Sequence, residues 1–490
     1  MDFFSAAPPR LGLSRSLPDL PYGLAFFAFA MIAFSSFILS DGDSFLHIAA
    51  GQWMLDHSRV PDGDPFSATL AGHPWQAHEW LSEVVLALAF RLGGLAAVML
   101  LTALAFGASV FLLARYVTTH MRLVYAVLVL LVVAELAAST VLARPHMLVV
   151  PFMIIAAVEA IEASNQDRRP TYWLAGLFML WANMHASFPV GLGVMAALGA
   201  ETAWRSRSVT LAARWAGVTL VATLATMVSP YGAHTLTFPF EHSANATLAF
   251  INEWQATALW PPNSLELAFG LVVLALVAAA RPSLFRLMLI AGLGYLAINH
   301  QRHLILFGLY TTLLIAGAPL GRLAAPRDEP DRVQGPAATL PLRRSTGIPI
   351  WGWVGGVLVV SIVRLATPAP LLDGKLTPMT MLATLPGELR QAPVFNDYNF
   401  GGPMIFFGLR PAFDSRVELF GAEGLNTYAR QLTDRCVLLD DLVARGVRWS
   451  ILAPDNPALA TIDTLPGWHR LSADKFAVVS TGPQLTDRCP

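Results

Sequence analysis

Residues 41–84 read DGDSFLHIAAGQWMLDHSRVPDGDPFSATLAGHPWQAHEWLSEV and follow directly on an uncharged apolar run, 21–40. A run of that length crosses a ~30 Å hydrocarbon core as a helix. It is too long for a signal-peptide core and no small-residue cleavage site follows it. It therefore reads as a retained first span, preceded by a polar start with Arg10 and Arg15. The quoted stretch is acidic and rich in histidine. Phe45, Ile48 and Gln52, beside Leu46, Ala49 and Trp53, keep helical spacing. It has the composition of chain that lies on a membrane surface beside the end of a span.

The rest of the chain agrees. Hydrophobic residues make up 55% of the 490 and charged ones 13%, against about 25% charged in an average soluble domain. Mean hydropathy is +0.54. Further apolar runs lie at 93–114, 123–142, 146–163, 171–187, 188–203, 210–229, 264–280, 284–299, 303–320 and 348–366, giving about eleven spans. Net charge is −1, which leaves no electrostatic footprint for nucleic acid. Only Cys436 and Cys489 are present, and no zinc-like Cys or His spacing occurs.

Arginine placement orients the spans. With the N-terminus cytoplasmic, the inner loops hold Arg115 and Arg122, then Arg168 and Arg169, then Arg205, Arg207 and Arg214, then Arg281 and Arg286. The linker 321–347 adds Arg322, Arg327, Arg332, Arg343 and Arg344. Counting 79–91 as another full span would put Arg168 and Arg169 outside, so it reads as an amphipathic segment on the outer interface. The odd number of spans leaves the C-terminus outside, and every histidine except His120 falls on the outer side. Residues 1–366 then form the membrane domain, with outer loops 41–92 and 230–262 and the flexible cytoplasmic linker 321–347. From Thr367 the hydrophobic runs shorten and Pro and Gly punctuate them. Residues 367–490 read as a small extracytoplasmic α/β domain, with apolar stretches 393–395, 403–407, 447–452 and 476–479 and helices near 424–434 and 436–445. An oxidising compartment permits a disulfide between the two cysteines, which spacing alone does not establish.

Chemistry concentrates outside. Asp43 is placed to cap the helix that follows it, leaving Asp41 as the better proton acceptor. Together the pair could bind a divalent cation such as Mg²⁺ or Mn²⁺. Asp62 and Asp64 before Pro65 read as a turn. Glu79 and Glu83 share a helix face beside His78. Arg144 in ARPHM, with His146, and Arg302 with His303 in NHQRHL sit at outer helix ends; each arginine either snorkels or grips an anion such as a lipid phosphate. Trp181, Asn183 and His185 form a short connection between two spans, where Asn and His could hold a polyol. Glu253, in the loop 230–262, is a substrate contact or merely solvated, and His47 lies on the first outer helix.

These features resemble the GT-C superfamily of integral-membrane glycosyltransferases, and DSFLHIAAGQWMLDH with DPFS, G-x-PW and EWL looks like a recurrent bacterial GT-C-like subgroup. The resemblance implies an all-α polytopic membrane protein with a C-terminal α/β domain, in a bacterial inner membrane, taking its sugar from a polyprenyl-phosphate donor. It implies inverting transfer to an extracytoplasmic lipid or glycan acceptor, with Asp41 or Asp43 as base. Arg144, Arg302 and His303 would hold the donor phosphate. His47, His78, Glu79, His146, Asn183, His185 and Glu253 would line the substrate site, with a metal on Asp41 and Asp43. FNDYNFGGPMIFFGLRPAFDSR loosely resembles the D-Y-G segment of oligosaccharyltransferase catalytic subunits, with Asp397, Tyr398, Gly401 and Asp414 as counterparts and Gly401–Gly402 otherwise a turn before a strand; the tryptophans that precede that motif are missing, so a peptide acceptor is not implied. Two other classes compete: a lipid-linked glycan flippase, which calls for ionisable groups near the midplane, and a polymerase or ligase of the O-antigen type, which calls for a large outer loop rich in Arg and His.

Overall fold

The computed structural model describes residues 19–138, 140–243, 248, 251–257, 270, 273–274, 277–319, 348–369 and 371–489. Helices α1 (Leu20–Ala33), α2 (Gly42–His57), α3 (Trp80–His120), α4 (Leu123–Ala138), α5 (Pro145–Asn165), α6 (Leu174–Met184), α7 (Phe188–Ser206), α8 (Val209–Thr226), α9 (His234–Ser243), α10 (Leu284–Asn299), α11 (Leu304–Ala316) and α12 (Ile350–Ala366) make a polytopic helical membrane fold. Of these α3, α5 and α8 are long and apolar enough to cross a membrane, and α1, α4, α6, α10 and α12 are shorter apolar helices.

The longest helix joins the segment read as interfacial to the apolar run 93–114 with no loop between them. Gly93 and Gly94 leave helical geometry, Gly94 with φ 61° and ψ −153°, a region open in practice only to glycine. Before the break, α3 packs on α2, where Gly51 lies against the Glu83 backbone; after it, Gly107 fits against Phe29 of α1. The run 171–187 is helical only over α6, whose 11 residues rise about 16 Å, half the apolar core. It stops because His185 turns extended and α7 restarts at once with Pro189 in its first turn. Trp181 and Asn183 therefore lie inside the last turn of α6 rather than in a connection. The run 303–320 gives α11, four residues short at its end. Most of 264–280, and all of 321–347, lie outside the described residues.

At the end of the bundle where α5 meets α7, Arg286 is 2% exposed and belongs to α10, not to a loop. Its Nε donates to Glu201 (3.2 Å), Nη1 to the Gly317 carbonyl (2.7 Å) and Nη2 to Asn165 Oδ1 (2.6 Å). Arg168 nearby grips both oxygens of Glu159 at 2.8 and 3.1 Å.

The C-terminal part holds a four-stranded sheet, order β1-β2-β4-β3, with β1 (Val394–Asn396) parallel to β2 (Trp449–Leu452) and β4 (Val478–Thr481) antiparallel to β2 and β3 (His469–Ala473). Helices α14 (Val417–Thr433) and α15 (Arg435–Arg445) cover it, burying Leu438 and Leu442 against Phe395 and Leu452. Cys436 and Cys489 are joined, tying the start of α15 to the chain end. The stretch 403–407 is not a strand: α13 (Gly401–Phe406) lies there instead. Gly402 sits so close to the Gly42 carbonyl that a Cβ has no room, and one on Gly42 would come 2.8 Å from the Asn399 carbonyl. The two glycines let α13 and α2 touch backbone to backbone. A second join is ionic. Arg416 is buried between Asp64 (2.7 Å) and Asp414 (2.6 Å), with Trp75 facing its guanidinium at 4.6 Å. Asp64 does form the expected turn, accepting from Phe66 and Ser67, and it anchors the first loop to the C-terminal domain as well.

Candidate active site

The site begins where α2 starts. Asp41 is extended (φ −102°, ψ 131°) and accepts from the Asp43 N–H at 3.0 Å, so Asp41 is the cap and Asp43 lies in the first turn. The helix opens at Gly42, so the cap falls at Asp41, two positions before the expected Asp43. Ala143 donates to the Ile38 carbonyl (2.8 Å) and brings the start of α5 alongside. Arg144, held extended before Pro145, then reaches both acids: Nη1 to Asp41 Oδ2 at 2.9 Å and Nη2 to Asp43 Oδ2 at 2.7 Å.

Glu253 extends this chain of charges. One oxygen lies 3.5 Å from Arg144 and the other 3.2 Å from Arg302. Arg302 also lies over the Trp254 ring at 4.3 Å. The segments 252–257 and 298–303 are clamped together by Thr257 N–H to the Ile298 carbonyl (2.9 Å), Gln301 N–H to the Gln255 carbonyl (3.0 Å) and His300 Nδ1 beside the Trp254 carbonyl (2.7 Å). Four separate segments thus deliver Asp41, Asp43, Arg144, Glu253 and Arg302 to one network. Burial pushes the Asp41 carboxyl up from its ordinary value against the pull of Arg144. Burial opposes ionisation of Glu253 too, yet Arg144 and Arg302 hold it below the ordinary value.

Beside it lies a second group centred on Glu79, which precedes α3. Glu79 Oε2 is 3.6 Å from His47 Nε2; Oε1 is 3.4 Å from His185 Nε2 and 3.8 Å from His78 Nε2. His47 Nδ1 lies 3.0 Å from Glu83 Oε1, and His185 Nδ1 lies 2.8 Å from Ser187 Oγ. Burial pushes Glu79 up to about 7, helped by the Glu83 charge and opposed by His47, Arg144 and Arg302. Burial takes His78 the other way, down to about 3. A carboxylate poised near neutrality among imidazoles can take up and pass on a proton.

Other expected residues are engaged elsewhere. Asn183 is a strut: Nδ2 donates to the Met179 and Val228 carbonyls (2.8 and 2.9 Å) and Oδ1 accepts from Trp80 (2.8 Å). His146 Nε2 meets the Thr140 carbonyl at 2.7 Å. His303 turns into an aromatic group with Trp254 and His300, at 6.0 and 5.5 Å between centroids. Asp397 is tied to Asn456 (2.9 Å) and Asp414 to Arg416, so both support the C-terminal domain rather than the network. Tyr398 is closer to it, packed with Trp254, Leu248, Val417 and Leu425. Arg416 escaped sequence reasoning; the only trace was an arginine two residues after an aspartate in FDSR.

The acidic pair does not suit a resident divalent cation. Both carboxylates converge on a guanidinium that occupies the place a cation would take. Among the described residues no three His, Cys, Asp or Glu side chains are grouped to hold a metal ion.

No family model matches the chain, and no curated protein matches it in sequence. Solved structures do. ArnT from Cupriavidus metallidurans in the apo state is 14% identical, with a TM-score of 0.52 over 95% of this chain and 99% of that one. ArnT from the same organism bound to undecaprenyl phosphate is 13% identical, with the same coverage and TM-score. At this identity the likeness concerns the fold alone: the chain shares the overall fold of ArnT along nearly its whole length.

Proposed function

We propose that the chain is a membrane glycosyltransferase that moves a sugar from a polyprenyl-phosphate donor to an extracytoplasmic lipid or glycan acceptor, with inversion at the anomeric carbon. The observation that carries this is the network Arg302–Glu253–Arg144–Asp41/Asp43. Its support is a fold shared with a protein solved with undecaprenyl phosphate bound.

The chemistry follows from the pairing. Arginine forks match phosphate oxygens as they match carboxylates. A donor phosphate arriving at Arg144 and Arg302 competes with Asp41, Asp43 and Glu253 for the same N–H groups. Once Arg144 turns to the phosphate, Asp41 loses the cation that held it ionised and, being buried, gains proton affinity. It then takes the proton of the acceptor hydroxyl as that oxygen bonds to the anomeric carbon. The bond from this carbon to the phosphate oxygen breaks, its electron pair leaves with the lipid phosphate, and the arginines stabilise the growing charge. The products are the glycosylated acceptor and polyprenyl phosphate. In this reading the network faces the periplasm of a bacterial inner membrane, the N-terminus is cytoplasmic and the C-terminal domain lies on the network's side.

The test is to incubate the purified protein in lipid with a labelled polyprenyl-phosphate sugar and an extract of membrane glycolipids. Donor consumption with release of polyprenyl phosphate, lost in Arg144→Gln and in Asp41→Asn, is the expected outcome. Intact donor with the wild-type protein, or donor merely moved across the bilayer, would refute the reading.

A further inference from the structure

Arg364 sits in the last turn of α12, away from the network just described. The surrounding surface is apolar: on α12 Leu358, Val359, Ile362, Val363 and Leu365 are exposed, and on the facing end of α1 so are Met31 and Phe34. Such a surface faces acyl chains.

An arginine at the end of a spanning helix ordinarily snorkels, with its head in water. Arg364 does not. It is 4% exposed, its guanidinium lies 5.8 Å from the Phe34 ring centroid, and both Nε and Nη2 are buried without a hydrogen-bond partner. Among the described residues no carboxylate pairs with it. Leaving charged donors buried and unpaired is costly, so this arrangement calls for an anion from outside the chain. Nε and Nη2 are the two donors that point in parallel along one edge of a guanidinium, the fork that takes two oxygens of one phosphate.

Position adds to this. Phe34 ends α1, and Asp41 follows within a few residues, so Arg364 lies at the level where the chain leaves the apolar core. Next to it, Leu365 closes on the Gly93 break of α3, 3.0 Å from where a Cβ would stand. Arg364 thus lies among the ends of α1 and α12 and the break in α3, beside an exposed apolar surface, with the half-exposed Phe34 ring against its guanidinium.

We propose that Arg364 is a docking site for the phosphate of a membrane lipid, bound side-on from the bilayer between α1, α12 and the Gly93–Gly94 break. This site is separate from the Arg144–Arg302 network and stands whether or not the chain transfers sugars.

The test uses the full chain purified in detergent and native mass spectrometry, with dioleoylphosphatidylglycerol as probe. Dioleoylglycerol, which lacks the phosphate, and inorganic phosphate are the competitors. Each variant is also made in an Arg144→Gln background, so that lipid held at the network does not count. Wild-type protein should retain phosphatidylglycerol that neither competitor displaces. Arg364→Gln should hold it roughly tenfold or more weakly, the loss expected for a charge-assisted fork, with Arg364→Lys between the two, in both backgrounds. Equal retention by Arg364→Gln overturns the proposal, and so does displacement by inorganic phosphate, which would make this a site for a free anion. If Arg364→Gln does not fold, the wild-type competition decides: dioleoylglycerol displacing the lipid as well as phosphatidylglycerol does would overturn it.

Discussion

Among the described residues, the polar networks at two places in the helical bundle, around Arg286 and around Asp41 and Glu79, differ in whether their donors and acceptors match. Around Arg286 each guanidinium nitrogen has its own acceptor, from Glu201, Gly317 and Asn165. Around Asp41 and Glu79 the matching is loose. Arg144 is shared by three carboxylates. The Glu79 oxygens face imidazoles at 3.4–3.8 Å, beyond a good hydrogen bond, and Glu83 Oε2 is buried with no partner. A closed network holds helices together; one with spare capacity is ready for a ligand.

The largest effects should divide along that line. Arg286→Gln takes the nearest cation from buried Glu201, leaving it Ser164 Oγ at 3.5 Å and Arg205 at 3.9 Å, and we expect a loss of about 3 kcal/mol in stability, read as lower membrane abundance and earlier thermal unfolding. Arg144→Gln should keep most of the abundance and lose transfer by about 10²–10³-fold, the usual consequence of deleting one electrostatic stabiliser. Equal unfolding in both variants would erase the distinction. Arg416→Met tests a third case, a closed ion pair joining two regions. It leaves Asp64 and Asp414 buried without their cation, so stability should fall by about 3–5 kcal/mol. Proteolysis of folded protein should then begin between the first loop and the C-terminal domain.

A smaller effect probes the helix crossing. Gly402→Ala forces α13 off α2, at a cost of about 1–3 kcal/mol, and should slow transfer through the shifted Asp41 while leaving the α10 end intact. An unchanged melting temperature would mean that the crossing gives way freely.

The same division explains what could be read from the chain. The positions of most apolar helices were legible because hydropathy is a local property, and a Gly-Gly pair falls where α3 breaks. The histidines that meet at Glu79 come from segments that arginine placement assigns to one side of the membrane. Pairing was not. Arg286 looked like a loop arginine because Glu201 is 85 residues away in sequence, and Asp64 looked like a turn residue because Arg416 is 352 away. Asp41 and Asp43 looked free for a metal because nothing local shows that Arg144 arrives between them. Asn183 looked like a connection residue free to meet a sugar because Val228 and Trp80, which engage it at the end of α6, are 45 and 103 residues away in sequence.

Glu79 gives a pH-dependent contrast with the closed network. Burial, chiefly, sets it at about 7 against an ordinary 4.5, so the folded protein binds this proton more tightly than the unfolded one. That advantage is complete below the unfolded value and is lost as pH rises through the folded value. The groups facing Glu79 are His47, His78, His185, Glu83, Arg144 and Arg302. Glu79→Gln removes the titration. Its melting temperature should therefore rise relative to wild type by a few degrees between about pH 5 and about pH 8. A constant offset across that range would mean that the carboxyl is ionised throughout.

The smallest expected effect is none at all. If the acidic pair held a divalent cation, a chelator would stop transfer and Mn²⁺ or Mg²⁺ would restore it. Here Asp41 and Asp43 each present an oxygen to Arg144 within 3 Å, and a cation placed between them would face a guanidinium of its own sign at contact distance. Repulsion of that size in a partly buried site exceeds what two carboxylates alone return. Transfer should therefore proceed at an unchanged rate in excess EDTA. A rate that collapsed and recovered with metal would require Arg144 to leave the acids before the donor arrives. The loose network would then be a metal site that opens on demand, and its contrast with the Arg286 end would be sharper still.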